Sequence, residues 1–312
     1  MSLVKGHHHV SMFTKDARMN KQFYTEVLGL RLVKKTVNQD NPSMYHLFYG
    51  DTTGSVGTEL SFFELPRAGH TTKGSNSISR IGLRVPSIES LTFWQRRFNS
   101  KNVIHDSITT YAGYPALPFE DPEGLELVLL VDENTTIPSS WHYWQHSPIA
   151  EKHSIMGIHI IETQVKRAER FGKMLTEVFE YEEKMSDEEG ILYKNKAHGG
   201  SNIIVKKNEG SVQKPGKGSI HHFALAVESN EDLVLIEQRV QQRGYHSSGI
   251  VNRYYFESLY FRELNGILIE VATMGPGFLI DSKEEQLGEK LDLPPFLEER
   301  RAEIEAGLSP LN

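Results

Sequence analysis

The stretch HFALAV, residues 222–227, alternates large apolar side chains with small ones, which is how a β-strand reads when one face is packed and the other open. Three further strand-like segments, His9-VSMFT, Arg80-IGLRV and Gly157-IHIIE, likewise stand a few residues ahead of a helical pattern. Steps of 71, 77 and 65 residues separate the four starts, so one supersecondary unit is used four times, with insertions taken up in loops. In the first unit KDARMNKQFYTEVLGL is amphipathic with a glycine stop, and RLVKKTV, SMYHLFYG and TELSFFEL follow as strands. IESLTFWQRRFNSKN, VKRAERFGKMLTEVFEY and NEDLVLIEQRVQQRGY supply the other three helices, each followed by strand-like runs such as LELVLLVD, SNIIVKK and ILIEVAT. Each unit reads as strand, helix, three strands, which makes the expected class α+β.

Between the second and third units lies ENTTIPSSWHYWQHSPIAEKH, polar and broken by two prolines, and the domain boundary is expected there. Residues 1–150 then hold two units, residues 151–275 the other two, and residues 276–312 a tail with a short helix after Pro294-Pro295. A chain of 312 residues suits two such domains. It shows no apolar run near the roughly 20 residues that span a membrane and no charged-then-apolar leader, so a cytosolic protein with no membrane partner is expected. The net charge of −7 comes without a basic stripe, which argues against nucleic acid as a partner. There is no cysteine, so disulfides and thiolate nucleophiles are excluded, and any metal must be held by nitrogen and oxygen.

Side-chain parity selects the histidines that can meet. In the fourth unit His221, Phe223, Leu225 and Val227 share the face expected under the helix, while His222, Ala224 and Ala226 leave room on the concave face. In the first unit Val10 and Met12 face the helix and His9, Ser11 and Phe13 the cavity, so His9 stands where His222 stands. In GILIEVAT, residues 266–273, Glu270 shares a face with Leu268 and Ala272. A carboxylate in so apolar a strand is costly unless it meets a cation or hydrogen-bond donors. Two imidazoles and one carboxylate, leaving three cis positions open, is the set used by non-haem Fe(II) enzymes that bind oxygen and an organic substrate together. Arg80, Gly157 and Val128 stand at the matching positions of the other units, so one site per chain is expected.

Blander readings compete. Residues 7–9 resemble the remnant of a purification tag, Glu270 could sit at a wet sheet edge, and His222 alone could be a satisfied core histidine. The register between His9 and His222, 213 residues apart, favours a site. His105, His142, His146, His153 and His246 read as surface residues, and His46, His159 and His198 are left unassigned. Phe13, Phe62, Tyr254 and Phe256 are candidate pocket walls.

With HHV, HHFALAV and RELNGILIEVAT in four repeated units, the sequence resembles the vicinal oxygen chelate superfamily, specifically its ring-cleaving dioxygenases that open hydroquinones. KKTVNQDNPSMYHLFYGD and the tail motif GEKLDLPPFLEE extend the likeness over nearly the whole chain. The resemblance implies two domains of βαβββ units with cup-shaped mixed sheets, the first and fourth units brought together around Fe(II), sometimes Mn(II), held by His9, His222 and Glu270. It also implies roles beside the metal for His8, His221, Arg253, Tyr260 and Ser11, a small aromatic diol and O2 as substrates, and detoxification of quinone-forming aromatics. Parity disagrees in part, since it turns His8 and His221 away from the cavity. A homo-oligomer is compatible with the pattern and not implied by it.

A glyoxalase-like isomerase or transferase is the rival on the same fold. It would need a further carboxylate on the last strand of the first unit, where the position equivalent to Glu270 is Ser61; Glu59, two residues earlier on the same face, would fill it after a one-pair slip. A metal-free protein that sequesters a planar ligand is the other alternative, and an intact ligand set argues against it.

Overall fold

The computed structural model describes residues 2–187, 190–195 and 200–311, so His198 lies outside the described residues. Four units appear as expected. The first runs β1 (Val4–Thr14), α1 (Ala17–Gln22, continued as a π-turn over Phe23–Val27), β2 (Arg31–Val37), β3 (Tyr45–Gly50) and β4 (Glu59–Glu64). The second is β5 (Ser77–Arg84), α2 (Ile88–Lys101), β6 (Thr109–Tyr111), β7 (Tyr114–Glu120) and β8 (Glu126–Leu130); the third is β9 (Ile158–Val165), α3 (Ala168–Phe179), β10 (Glu182–Asp187), β11 (Gly190–Lys194) and β12 (Asn202–Lys207). The fourth is β13 (Ile220–Val227), α4 (Asn230–Gln242), β14 (Ser247–Asn252), β15 (Phe256–Arg262) and β16 (Leu268–Pro276). Asp16, Ser87 and Ser229 cap the helices of units one, two and four by accepting from first-turn amides. No helix among the described residues is long and apolar enough to cross a membrane.

The units pair across the chain. One mixed eight-stranded sheet has the order β14-β15-β16-β13-β1-β4-β3-β2 and joins the fourth unit to the first; the other, β10-β11-β12-β9-β5-β8-β7-β6, joins the third to the second. Residues 1–150 and 151–275 therefore contribute one unit each to either sheet. At the centre of the first sheet β1 runs antiparallel to β13 and parallel to β4, while β13 runs parallel to β16. Phe223, Leu225 and Val227 pack with Leu233, Ile236 and Val240 of α4, as alternation requires.

Three register shifts interrupt the pairing of β1 with β13, one at Val4–Gly6 and two β-bulges beside the doubled histidines. Opposite the step from Leu225 to Phe223, β1 advances from His7 to Val10; opposite the step from Ser11 to Met12, β13 moves from His222 to Ile220. Each inserts one extra residue, which locally resets the faces. Both doubled histidines lie in these insertions. In the second sheet, by contrast, Val128, Leu130, Ile160 and Ile204 form a packed apolar cluster, and a Cβ added to Gly82 would strike Leu130 and Ile160.

The tail braces β2. Lys34 is wholly buried there, its Nζ 2.7 Å from Asp281 Oδ1 and 2.7 Å from Asp292 Oδ2, and 3.3 Å from Ser282 Oγ. Helices α5 (Pro295–Glu298) and α6 (Arg301–Gly307) add Leu297 and Ile304 to a cluster with Val37 and Leu293. A buried ammonium between two carboxylates is costly to break, because one partner left behind is an uncompensated charge. Lys34→Met is expected to lower stability by about 3–5 kcal/mol in urea titration and to expose the tail to limited proteolysis, whereas an unchanged midpoint would show that the tail docks without it.

Candidate metal centre

His9 on β1, His222 on β13 and Glu270 on β16 come from three adjacent strands at the centre of the first sheet. His9 Nε2 lies 3.2 Å from His222 Nε2 and 3.3 Å from Glu270 Oε2, and His222 Nε2 lies 2.9 Å from the same oxygen. All three side chains are buried. Ligand bonds near 2.1 Å at right angles would put neighbouring donors about 3 Å apart, so this triangle has the size of one face of a divalent cation's coordination shell. The wet-edge reading of Glu270 fails because the residue is only 1% exposed.

The two oxygens of Glu270 divide their work. Oε1 accepts from Ser258 Oγ at 2.6 Å and from the Tyr260 hydroxyl at 3.0 Å, which leaves Oε2 for the imidazoles. Burial alone would raise this carboxyl, but the adjoining His9 and His222 rings hold it well below the usual carboxylate range. Burial lowers the His222 pKa, so its ring is neutral near pH 7 and has a lone pair to give.

Each imidazole of the triangle leans on its chain neighbour. His9 Nδ1 lies 3.0 Å from His8 Nδ1, and His222 Nδ1 lies 2.8 Å from His221 Nδ1. With Nε2 reserved as a lone pair, Nδ1–H of His9 donates to His8, and His8 then donates from Nε2 to the Thr273 carbonyl at 3.2 Å. His222 donates to His221 in the same way, and His221 lines the cavity beside the triangle. Burial pushes the His8 and His221 imidazoles down to about 3, so both are neutral acceptors near pH 7. The bulges correct the parity expectation: His221 reaches the cavity, and the His8 ring lies against that of His9 with centroids 5.0 Å apart.

The cavity holds about 370 Å³. Arg253 and Tyr260 line it and are coupled: Arg253 Nε donates to the Tyr260 hydroxyl at 3.2 Å, while its two terminal nitrogens meet the oxygens of Asp40 at 3.1 Å. Burial raises the Tyr260 phenol, which therefore keeps its proton for Glu270 near pH 7. Asp40 stands just beyond β2, the strand that Lys34 ties to the tail.

Other expectations are corrected. His7 and His8 are buried strand residues, His7 placing Nε2 3.2 Å from the Asn202 carbonyl, so they are no appended tag. Phe62 packs against Tyr24 and Tyr49 on the helix side, and its neighbour Phe63 lines the cavity instead. Phe256 is a wall, but Tyr255 rather than Tyr254 accompanies it, and Phe13 lies behind the lining, against the rings of Phe63 and His221. His153 is buried and stacks on Phe93 with centroids 4.4 Å apart. His159 pairs with Asp132 at 3.2 Å, away from the triangle.

Ser258 is a site residue that the sequence reading did not single out, although the two-residue step to Tyr260 could have put it on the cavity face. The register answers the question of a slip. Ser61 pairs with Ser11, as Glu270 pairs with Ala224, and Ser11 and Ala224 each follow a triangle histidine by two residues. Ser61 thus holds the place of a fourth ligand. Glu59 pairs with His9 one step earlier; it is buried, its Oε2 lacks a hydrogen-bond partner among the described residues, and burial raises its carboxyl well above the usual range.

A profile of the glyoxalase/bleomycin resistance protein/dioxygenase superfamily matches residues 6–129. MhqA of Bacillus subtilis, assigned as a ring-cleaving dioxygenase, is 45% identical over 99% of both chains. The chlorohydroquinone/hydroquinone 1,2-dioxygenase of Sphingobium indicum is 27% identical, covering 96% of this chain and 95% of its own. Among solved structures, a protein assigned as a dioxygenase from Bacillus subtilis superposes with a TM-score of 0.92 at 30% identity, covering 100% of this chain and 99% of that one. Maize glyoxalase I shares the fold, with a TM-score of 0.63 at 11% identity over 86% of this chain and 92% of its own. With four recurring units, a His-His-Glu triangle where two of them meet, and relatives alike from end to end, the chain belongs to the glyoxalase/bleomycin resistance protein/dioxygenase superfamily, in the branch that includes those ring-cleaving dioxygenases.

Proposed function

We propose that this protein is an Fe(II)-dependent ring-cleaving dioxygenase acting on a single-ring aromatic diol, a hydroquinone in preference to a catechol. The observation that carries the reading is the triangle of His9 Nε2, His222 Nε2 and Glu270 Oε2, buried yet opening on a cavity. A space of about 370 Å³ suits one substituted ring. The identity to MhqA and the name of the Sphingobium relative support the reaction and the substrate class. When bound, Fe(II) supplies the redox centre that removes the spin barrier between an organic diol and O2. Mn(II) meets the same donor set.

The chain's own residues handle charge and protons. Arg253 presents a guanidinium to the cavity, so an aromatic oxygen that has lost its proton is stabilised there. Tyr260 holds Glu270 by its proton and takes a hydrogen bond from Arg253, which ties the substrate's cation to the metal's carboxylate. His221, its Nδ1 occupied by His222, has its Nε2–H left to donate a hydrogen bond to a ligand oxygen. His8 fixes the tautomer and tilt of His9. The isomerase reading is disfavoured because Ser61 stands where the further carboxylate would be.

Alanine at His9, His222 or Glu270 is expected to weaken Fe(II) binding by more than about 100-fold, since even outer partners of ligands cost about 10–100-fold. Iron analysis of the purified variants reads this out, and full iron retained in Glu270→Ala would remove the triangle as the site. His8→Ala should keep iron with an affinity reduced by about 10–100-fold. In oxygen-electrode assays with hydroquinone, methylhydroquinone and catechol, the Fe(II)-loaded protein is expected to consume O2 and give a ring-opened product with at least one. Tyr260→Phe should retain iron and lose about 10²–10³ in kcat.

A further inference from the structure

His46 and Ser61 have no part in the function proposed above; His46 lines the cavity, and Ser61 lies behind it. His46, on β3, lies with its ring centroid 4.0 Å from that of Phe48 and 4.0 Å from that of Phe63. Its Nε2 is 3.1 Å from Ser61 Oγ, and Ser61 Oγ is 2.6 Å from Ser11 Oγ. Both serines are wholly buried, and Ser11 and His46 line the cavity. The chain runs β3–β4–β1 and ends two residues from His9, on the side of the triangle away from Arg253 and Tyr260.

Each hydroxyl has one proton to donate, which restricts the chain to two complete arrangements. With Nε2 protonated, His46 donates to Ser61, Ser61 donates to Ser11, and the Ser11 proton is free for the cavity. With Nδ1 protonated, Ser11 donates to Ser61, Ser61 donates to Nε2, and Ser11 offers only lone pairs to the cavity. Other arrangements leave either the buried Ser61 proton without an acceptor or two lone pairs facing each other across one of the two contacts. His46 Nδ1 has no hydrogen-bond partner among the described residues, so neither tautomer is fixed by the protein.

We propose that His46 is a positioning residue: through Ser61 it sets the hydrogen-bond direction of the Ser11 hydroxyl, which grips a phenolic oxygen of the bound ligand. This rests on the reading of the cavity as a site for aromatic diols. An oxygen that arrives ionised selects the arrangement in which Ser11 donates; one that keeps its proton selects the arrangement in which Ser11 accepts. The ligand is thus held from two sides, by the Arg253–Tyr260 pair and by the His46–Ser61–Ser11 chain.

The test is calorimetric binding of hydroquinone and of catechol, under argon, to Fe(II)-loaded wild type, Ser61→Ala, His46→Phe, the double variant and His46→Gln, with iron content and circular dichroism recorded for each. Phenylalanine keeps a ring between Phe48 and Phe63, and glutamine returns an amide nitrogen towards Ser61. Each single variant is expected to bind the tighter diol about tenfold more weakly. The double variant should lose no more than either alone, and His46→Gln should recover to within about threefold of wild type. Unchanged affinities in folded, iron-loaded single variants overturn the proposal, as do losses that multiply in the double variant. Oxygen uptake by the wild type judges the dioxygenase reading separately: affinity that depends on the chain without oxygen consumption supports the chain and removes the reaction.

Discussion

A carboxylate and two imidazoles packed within 3.3 Å of one another, with almost no solvent, form the arrangement on which the rest of this structure depends. An ionised carboxylate in an apolar interior is strongly unfavourable unless cations and donors surround it. Here the surroundings are specific: two hydroxyls take Oε1, and two imidazole rings face Oε2. Such a site exists only if β1, β13 and β16 are adjacent, and hence only if the first unit pairs with the fourth.

From that requirement the asymmetry of the two doubled histidines follows. Each sits in a bulge, and each contacts its partner ring through Nδ1. His8 is closed off by the Thr273 carbonyl, so it can only hold His9 in place. His221 opens on the cavity. One geometrical device used twice thus gives a support on one side and a chemically accessible group on the other. The tail completes the enclosure, since the Lys34 cage secures β2, and the loop beyond β2 brings Asp40 to Arg253.

The same unit repeated in the second sheet makes no comparable site. Val128, at the position of Glu270, is packed among Leu130, Ile160 and Ile204. Gly82, at the position of Ser11, has no room for a side chain, because Leu130 and Ile160 already fill the space. Where one sheet keeps a cavity open with Ala224 and polar groups, the other closes it with branched aliphatics. The difference was visible in the residues at matched positions, because it is a matter of side-chain size and polarity on a face whose direction the strand period fixes. The members of the triangle were legible for the same reason. Phe62 and Phe63 were not separated as readily, since both are apolar and only the pairing of β4 shows which one faces inward.

By itself the sequence determined the four units, their helices, the cavity-facing parity of His9, His222 and Glu270, and the emptiness of the matching positions elsewhere. These are consequences of period and polarity, which are local. The pairing of the first unit with the fourth was implied by the family resemblance and not by period or polarity; the tertiary structure decided its register, because the contact between β1 and β13 spans over 200 residues of chain and leaves no periodic trace. It also decided the inward turn of His221, the contact of His8 with His9, and the His46–Ser61–Ser11 chain. A bulge is an extra residue relative to a partner strand, and a hydrogen bond across three strands depends on their register; neither is defined until the strands have met.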